Sequence, residues 1–166
     1  MAGGSISWRG KDLERALVAV GVLAVIATFL PYYGAKITME GVDLSYSVNA
    51  WHSYAILGDL LLVAAVVVAA VRAYAPLQLP PQLSGAGPVG GYGLTAALAG
   101  LGTLLVFARA VSTPHIDGAL APGISFGIQW GGYLLFLLGI AETALAVLAA
   151  RQLDHPMAPA VAAGPV

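Results

Sequence analysis

The sequence predicts an all-α membrane protein: four transmembrane helices forming two helical hairpins in parallel repeat, with a short β-hairpin in the first outer loop. Three observations carry this reading. Of 166 residues, 59% are hydrophobic and only 9% are charged, whereas a soluble domain carries about 25% charged residues. The mean hydropathy is +0.86. The apolar residues also fall into four blocks, each close to the roughly 20 helical residues that cross a hydrocarbon core of about 30 Å. Such a length holds one bundle, residues 1–154, and no separate folded domain. The Pro- and Ala-rich residues 155–166 are expected to form a disordered cytoplasmic tail.

The first span covers about residues 14–33. Its charged lead holds Asp12 and Glu14 as well as Arg15, and cleavage after Ala35 would put bulky Tyr33 where a small residue is needed. It therefore reads as an uncleaved anchor rather than a signal peptide. Residues 34–50 contain two β-favouring runs around Glu40-Gly41, which predicts the hairpin. The second span covers 51–72. Pro76, Pro80, Pro81 and Pro88 make the next segment an irregular linker. The third span covers 90–111, and Pro114 and Pro122 keep the following loop from being helical throughout. The fourth covers 124–150.

Orientation follows from the basic residues. Arg9, Lys11, Arg15, Arg72 and Arg151 fall on one side, and Lys36 and Arg109 on the other. The excess places both termini in the cytoplasm and the chain in the cell (inner) membrane. Tyr32, Tyr33, Trp51, Tyr54, Trp130 and Tyr133 then share the outer edge, the level amphipathic rings prefer. The outer loops carry Glu40, Asp43 and Asp117.

One self-similarity stands out. Trp51-x-x-Tyr54 is followed 18 residues after the tyrosine by Arg72, and Trp130-x-x-Tyr133 is followed 18 residues after its tyrosine by Arg151. Either a duplicated hairpin or interface anchoring alone, with aromatics outside and arginine inside, produces this pattern. Ala96-x-x-x-Gly100 and Ala99-x-x-x-Thr103 mark the third span as the close-contact helix.

Two carboxylates interrupt the spans. Asp59 and Glu142 lie about 12 and 13 Å from opposite ends, and thus differ in depth by about 5 Å. Ionisable groups at such depth are costly unless neutral or paired. Three roles are open to them: a structural one, contact with a partner subunit, or transport. Thr103 matches the depth of Asp59 and is its expected partner, while Arg109 is expected to snorkel to the outer interface. The same-face neighbours of Glu142 are Leu135, Leu138, Gly139, Leu145 and Ala146, so its polar partner has to come from another helix or another chain.

Other chemistry finds little support. There is no cysteine, which removes disulfides and thiolate chemistry. His52, His115 and His155 do not converge with acids in a metal or haem pattern, so no metal and no cofactor is expected. Phosphate-binding and hydrolytic motifs are missing, and no catalytic residue is assigned. A net charge of −1 without a basic cluster argues against nucleic acid.

The runs Leu30-Pro31-Tyr32-Tyr33-Gly34 and Ser47-Val48-Asn49-Ala50-Trp51, with Asp59 opening an aliphatic stretch, resemble small four-helix membrane proteins of actinobacteria. The resemblance spans roughly residues 15–75, with the second half similar in architecture, and implies no activity. The layout is similar to claudin-type tetraspans in topology only; their Trp and paired-Cys signature is missing. The expected function is a non-catalytic accessory or scaffold subunit of a larger integral membrane complex, in contact with the lipid bilayer and with other membrane subunits. One alternative is a small channel or transporter using Asp59 and Glu142. Another is an outer-surface ligand-binding or adhesion tetraspan acting through residues 34–50.

Overall fold

The computed structural model describes residues 10–39, 42–52, 55–74, 91–112 and 124–154. Helix α1 (Gly10–Ala27) buries Leu13, Leu17, Gly21, Ala24 and Ala27, a spacing of three and four that forms one stripe. It stops earlier than the predicted first span. The Thr28 hydroxyl donates to Val25 O at 2.6 Å, and Pro31 has no N–H with which to continue the helix. Tyr32 and Tyr33 accordingly lie in strand β1 (Pro31–Met39).

Strand β1 pairs antiparallel with β2 (Val42–Asn49), in register from Tyr33↔Val48 to Met39↔Val42. This is the predicted hairpin. A third strand, β3 (Ile124–Ile128), pairs with the other side of β1, giving the order β2-β1-β3. The predicted fourth span, beginning at 124, is corrected here. Residues 124–128 alternate Ile-Ser-Phe-Gly-Ile, and this two-residue period suits a pleated strand. Register puts Tyr33, Ala35, Ile37, Leu44, Tyr46, Val48, Ile124, Phe126 and Ile128 on one face, with Lys36, Thr38, Asp43, Ser45 and Ser125 on the other.

Helix α2 (Ile56–Tyr74) begins five residues after Trp51, so the predicted start at 51 is also too early; Trp51 sits in the preceding turn. Helix α3 (Gly91–Val111) matches the predicted third span. Helix α4 (Trp130–Ala149) is extended by a π-helical turn, Ala150–Asp154. The stretches Ile56–Tyr74, Gly91–Val111 and Trp130–Asp154 are long and apolar enough to cross a membrane. Helix α1 is different, because Lys11, Asp12, Glu14 and Arg15 occupy its first two turns. Residues 40, 41, 54, 115, 117, 155 and the tail, with their expected roles, lie outside the described residues.

The helices close a ring in which α1 packs on α2, α2 on α3, α3 on α4 and α4 on α1. Gly10 meets Leu153 at one end, and the sheet covers the other. Glycines set the spacing. A methyl group at Gly102 would stand 2.9 Å from Gly58 O, and one at Gly58 would stand 2.9 Å from Gly102 O. α3 is thus a close-contact helix, although Gly102 belongs to neither small-residue motif.

The interior includes Leu13, Leu17, Leu62, Leu135 and Val106, and the outer surface of the helices is apolar as well. The interior also holds Ala24, Ala65, Ala69, Ala99, Ala146 and Ala149, together with Thr28, Thr95, Asp59 and Glu142. Large apolar side chains point outward: Leu137 is 64% exposed, Leu104 59% and Ile26 54%. Between helices, small residues permit the close backbone approach from which packing energy comes when the surroundings are apolar.

Candidate functional site

At the end holding Gly10, one polar cluster joins all four helices. Tyr92 OH donates to Glu14 Oε1 at 2.8 Å. The Arg72 guanidinium lies 4.8 Å over the Tyr92 ring and pairs with Asp154 Oδ1 at 3.4 Å. Asp154 Oδ2 accepts the Gly93 N–H at 3.1 Å, which places a carboxylate against the positive end of α3. Gly91 has φ 67°, and a methyl group there would run into the Asp154 carboxylate, so geometry requires glycine twice over. Arg72, expected to be an interface anchor, is instead a tertiary tie, its side chain only 21% exposed. Arg151, its presumed repeat counterpart, is exposed.

The aromatic markers of the repeat also diverge. Trp130 opens α4 and is exposed, as is Tyr133. Trp51 Nε1 donates to Thr28 Oγ1 at 2.7 Å, and its ring lies 5.8 Å from Phe29. It fastens the start of α2 to the end of α1 rather than facing outward alone. The two Trp and the two Arg therefore do not occupy equivalent places.

In the middle of the bundle, Asp59 and Glu142 are both 0% exposed. None of their four carboxyl oxygens has a hydrogen-bond partner among the described residues. Glu142 packs against α1: a methyl group at Gly21 would stand 3.0 Å from its Oε1 and 2.5 Å from Val66 Cγ2 of α2. The expected Asp59–Thr103 bond is absent. Thr103 Oγ1 donates to Ala99 O at 2.8 Å, and Thr143 Oγ1 to Gly139 O at 2.7 Å, the back-bonding habit of hydroxyls in helices. This chain's own helices cover both carboxyls completely. Gly102 faces Leu62 and Gly58, its neighbour Thr103 faces Gly139, and Gly100 faces Thr143. Asp59 and Glu142 consequently sit about one helical turn apart along the bundle, ~5 Å.

Towards the sheet, Tyr32 reaches into the bundle and donates its hydroxyl to Val106 O at 2.7 Å. Burial first, then the nearby Asp59, pushes this hydroxyl up to about 12, with Arg109 pulling the other way; it is a proton donor at all ordinary pH. Arg109 is half-buried in the last turn of α3. It lines a cleft of about 220 Å³ with Ala55, Leu57, Gly58, Leu105, Ala108 and Ser112. This cleft opens between the start of α2 and the end of α3, beside the residue preceding Asp59. His52 is held by Asn49, whose Oδ1 lies 2.7 Å from its Nδ1. On the sheet's polar face Asp43 accepts from Thr38 Oγ1 at 2.8 Å and pairs with Lys36 at 3.2 Å. The Thr38 bond, then Lys36, lowers its carboxyl below the ordinary range.

Sequence reasoning missed Tyr32, Glu14, Tyr92 and Asp154 as polar tertiary contacts. Only Tyr92 carried a signal, a polar aromatic in the first turn of an otherwise apolar helix. Comparison with protein families, curated proteins and solved structures finds no match for this chain, so the functional reading rests on geometry.

Proposed function

We propose that this chain is an integral membrane protein whose four helices cross the bilayer together, acting as a non-catalytic accessory subunit of a larger membrane complex. The apolar outer surface of the helices carries the membrane part of this reading. Leu23, Ile26, Leu60, Val67, Leu101, Leu104, Leu137 and Ile140 face outward from helices whose interior holds the carboxyls. So much outward apolar surface exceeds what a soluble monomer exposes. Helix α1 has a shorter apolar stretch, yet its ends reach the same two levels as its neighbours. Gly10 touches Leu153 at one end, and Thr28 receives Trp51 at the other. Crossing by all four helices places both ends of the described chain on one side, the cytoplasmic side by the basic-residue count.

The two-faced sheet supports the subunit role. Leu44 is 62% exposed, Tyr46 70% and Phe126 40%, all on its apolar face. A chain acting alone would leave this face against water.

Single cysteines at Ser45 and at Arg151, probed in intact cells with a membrane-impermeant maleimide, test the topology. Labelling at 45 and protection at 151 is the expected result; the reverse, or labelling of both, overturns it. Extraction in a mild detergent with native-gel sizing tests the subunit role. Co-migration with a larger membrane partner, lost when Leu44 and Tyr46 are replaced by Ser, supports it. A particle holding only this chain refutes it.

A further inference from the structure

We propose that Asp59 and Glu142 form an internal proton-binding pair, loaded through the cleft between α2 and α3. Each carboxylate takes one proton to give a neutral carboxylic acid and returns it; no other reactant is involved. The inference rests on the bundle interior and not on the subunit role.

Three observations lead to it. Both carboxyls are fully buried, and all four oxygens lack a partner among the described residues. A permanently ionised carboxylate in that position would bear an uncompensated desolvation cost, whereas a proton removes the charge without needing space. Packing is tight where the ligand would sit, since Gly21 touches both Glu142 and Val66. This favours the smallest ligand over a cation that needs six or more oxygen ligands. Finally, the cleft of about 220 Å³ reaches Gly58, adjacent in sequence to Asp59. The lining ends at Gly58 and the Asp59 carboxyl is fully buried, so a parting of α2 and α3 at Gly58 has to precede proton entry, and Glu142 lies about one turn further along the bundle axis.

The groups that tune the pair are few. On the Asp59 side the nearby group is Tyr32 from β1, whose hydroxyl in turn feels Arg109 of α3. Around Glu142, Gly21 of α1, Val66 of α2 and the α3 segment from Gly100 to Thr103 bring no charge. Glu14, Arg72, Tyr92 and Asp154 are occupied with one another at the Gly10 end.

Infrared spectroscopy of the full chain in lipid nanodiscs, titrated in pH, tests the proposal. Protonated buried carboxyls give a carbonyl band separate from those of exposed acids. The expected result is two such components that appear as pH falls and vanish as it rises. Asp59→Asn removes one and Glu142→Gln the other, halving the proton uptake of the pair each time. Ala108→Trp, which fills the cleft, slows the exchange without abolishing it. If either amide variant does not assemble, selective carboxyl 13C labelling of aspartate or of glutamate in the wild-type chain assigns the bands. Components that ignore pH would overturn the proposal, leaving a permanently neutral structural pair. A response to added sodium or calcium at constant pH would overturn it in favour of a cation site.

Discussion

Gly100 and Gly102 lie two residues apart on α3, and alanine should act on them with opposite sign. At Gly102 the new methyl group would stand 2.9 Å from Gly58 O and 3.1 Å from both Leu62 N and Leu62 Cγ. Two of those atoms are backbone, so the helix itself must withdraw by about 0.5 Å to restore ordinary contact at 3.4 Å. Overpacking of this kind costs about 1–3 kcal/mol. At Gly100 the nearest atom is Thr143 Cγ2, at 3.4 Å. No withdrawal is needed there, and replacing glycine within a helix gains about 0.5–1 kcal/mol. The helix gain is common to both positions, so the two variants should differ by the overpacking cost, about 1–3 kcal/mol, or roughly fivefold to 150-fold in the unfolding equilibrium. Reversible unfolding in mixed micelles, followed by the tryptophan fluorescence of the three indoles, measures both under one condition. Equal stabilities, or a Gly102→Ala chain more stable than Gly100→Ala, would show that α2 and α3 do not meet at Gly58 and Gly102.

Other outcomes follow from contacts already described. Asp154→Ala removes a helix cap and leaves Arg72 unpaired, and should cost about 1–3 kcal/mol. Arg151→Ala, at an exposed position, should stay within about 0.5 kcal/mol by the same unfolding assay. Gly91→Ala forces an L-residue to φ 67°, a penalty of about 1–2 kcal/mol before the collision with Asp154 is counted. Trp51→Phe keeps the ring but loses the bond to Thr28, and should cost about 1 kcal/mol. Asp43 has a lowered carboxyl pKa, so its pairing stabilises the hairpin above the ordinary aspartate range. That contribution is lost as pH falls through the lowered value. Thr38→Val should move the Asp43 carboxyl titration, followed by NMR, back up; no movement would refute the hydrogen bond.

The helices were legible because apolar blocks of the right length leave few alternatives, and Gly91–Val111 fell where the sequence put it. Their ends were less so. Ile124–Ile128 is apolar enough to merge with the helix behind it, and its alternation is decisive only once β1 is there to pair with it. Asp59 and Glu142 were conspicuous as charges within apolar blocks, but local spacing left open which helices cover them. Gly139 and Ala146, which share the face of Glu142, are small because that face packs inward against other helices. The cluster at the Gly10 end could not be anticipated. Tyr92 meets Glu14 and Arg72 meets Asp154 across 78 and 82 residues, and local spacing says nothing about such pairings.

The tie between Arg72 and Asp154 has a consequence in time. Arg72, Tyr92 and Gly93 leave the ribosome long before residue 154 does, so for most of synthesis the base of the bundle lacks its closing carboxylate. Helices α1 to α3 can assemble in that interval, but the start of α3 stays uncapped and the Arg72 charge unmatched. Arrival of α4 supplies both at once. A chain halted before Asp154 thus lacks the one carboxylate that both caps α3 and pairs with Arg72.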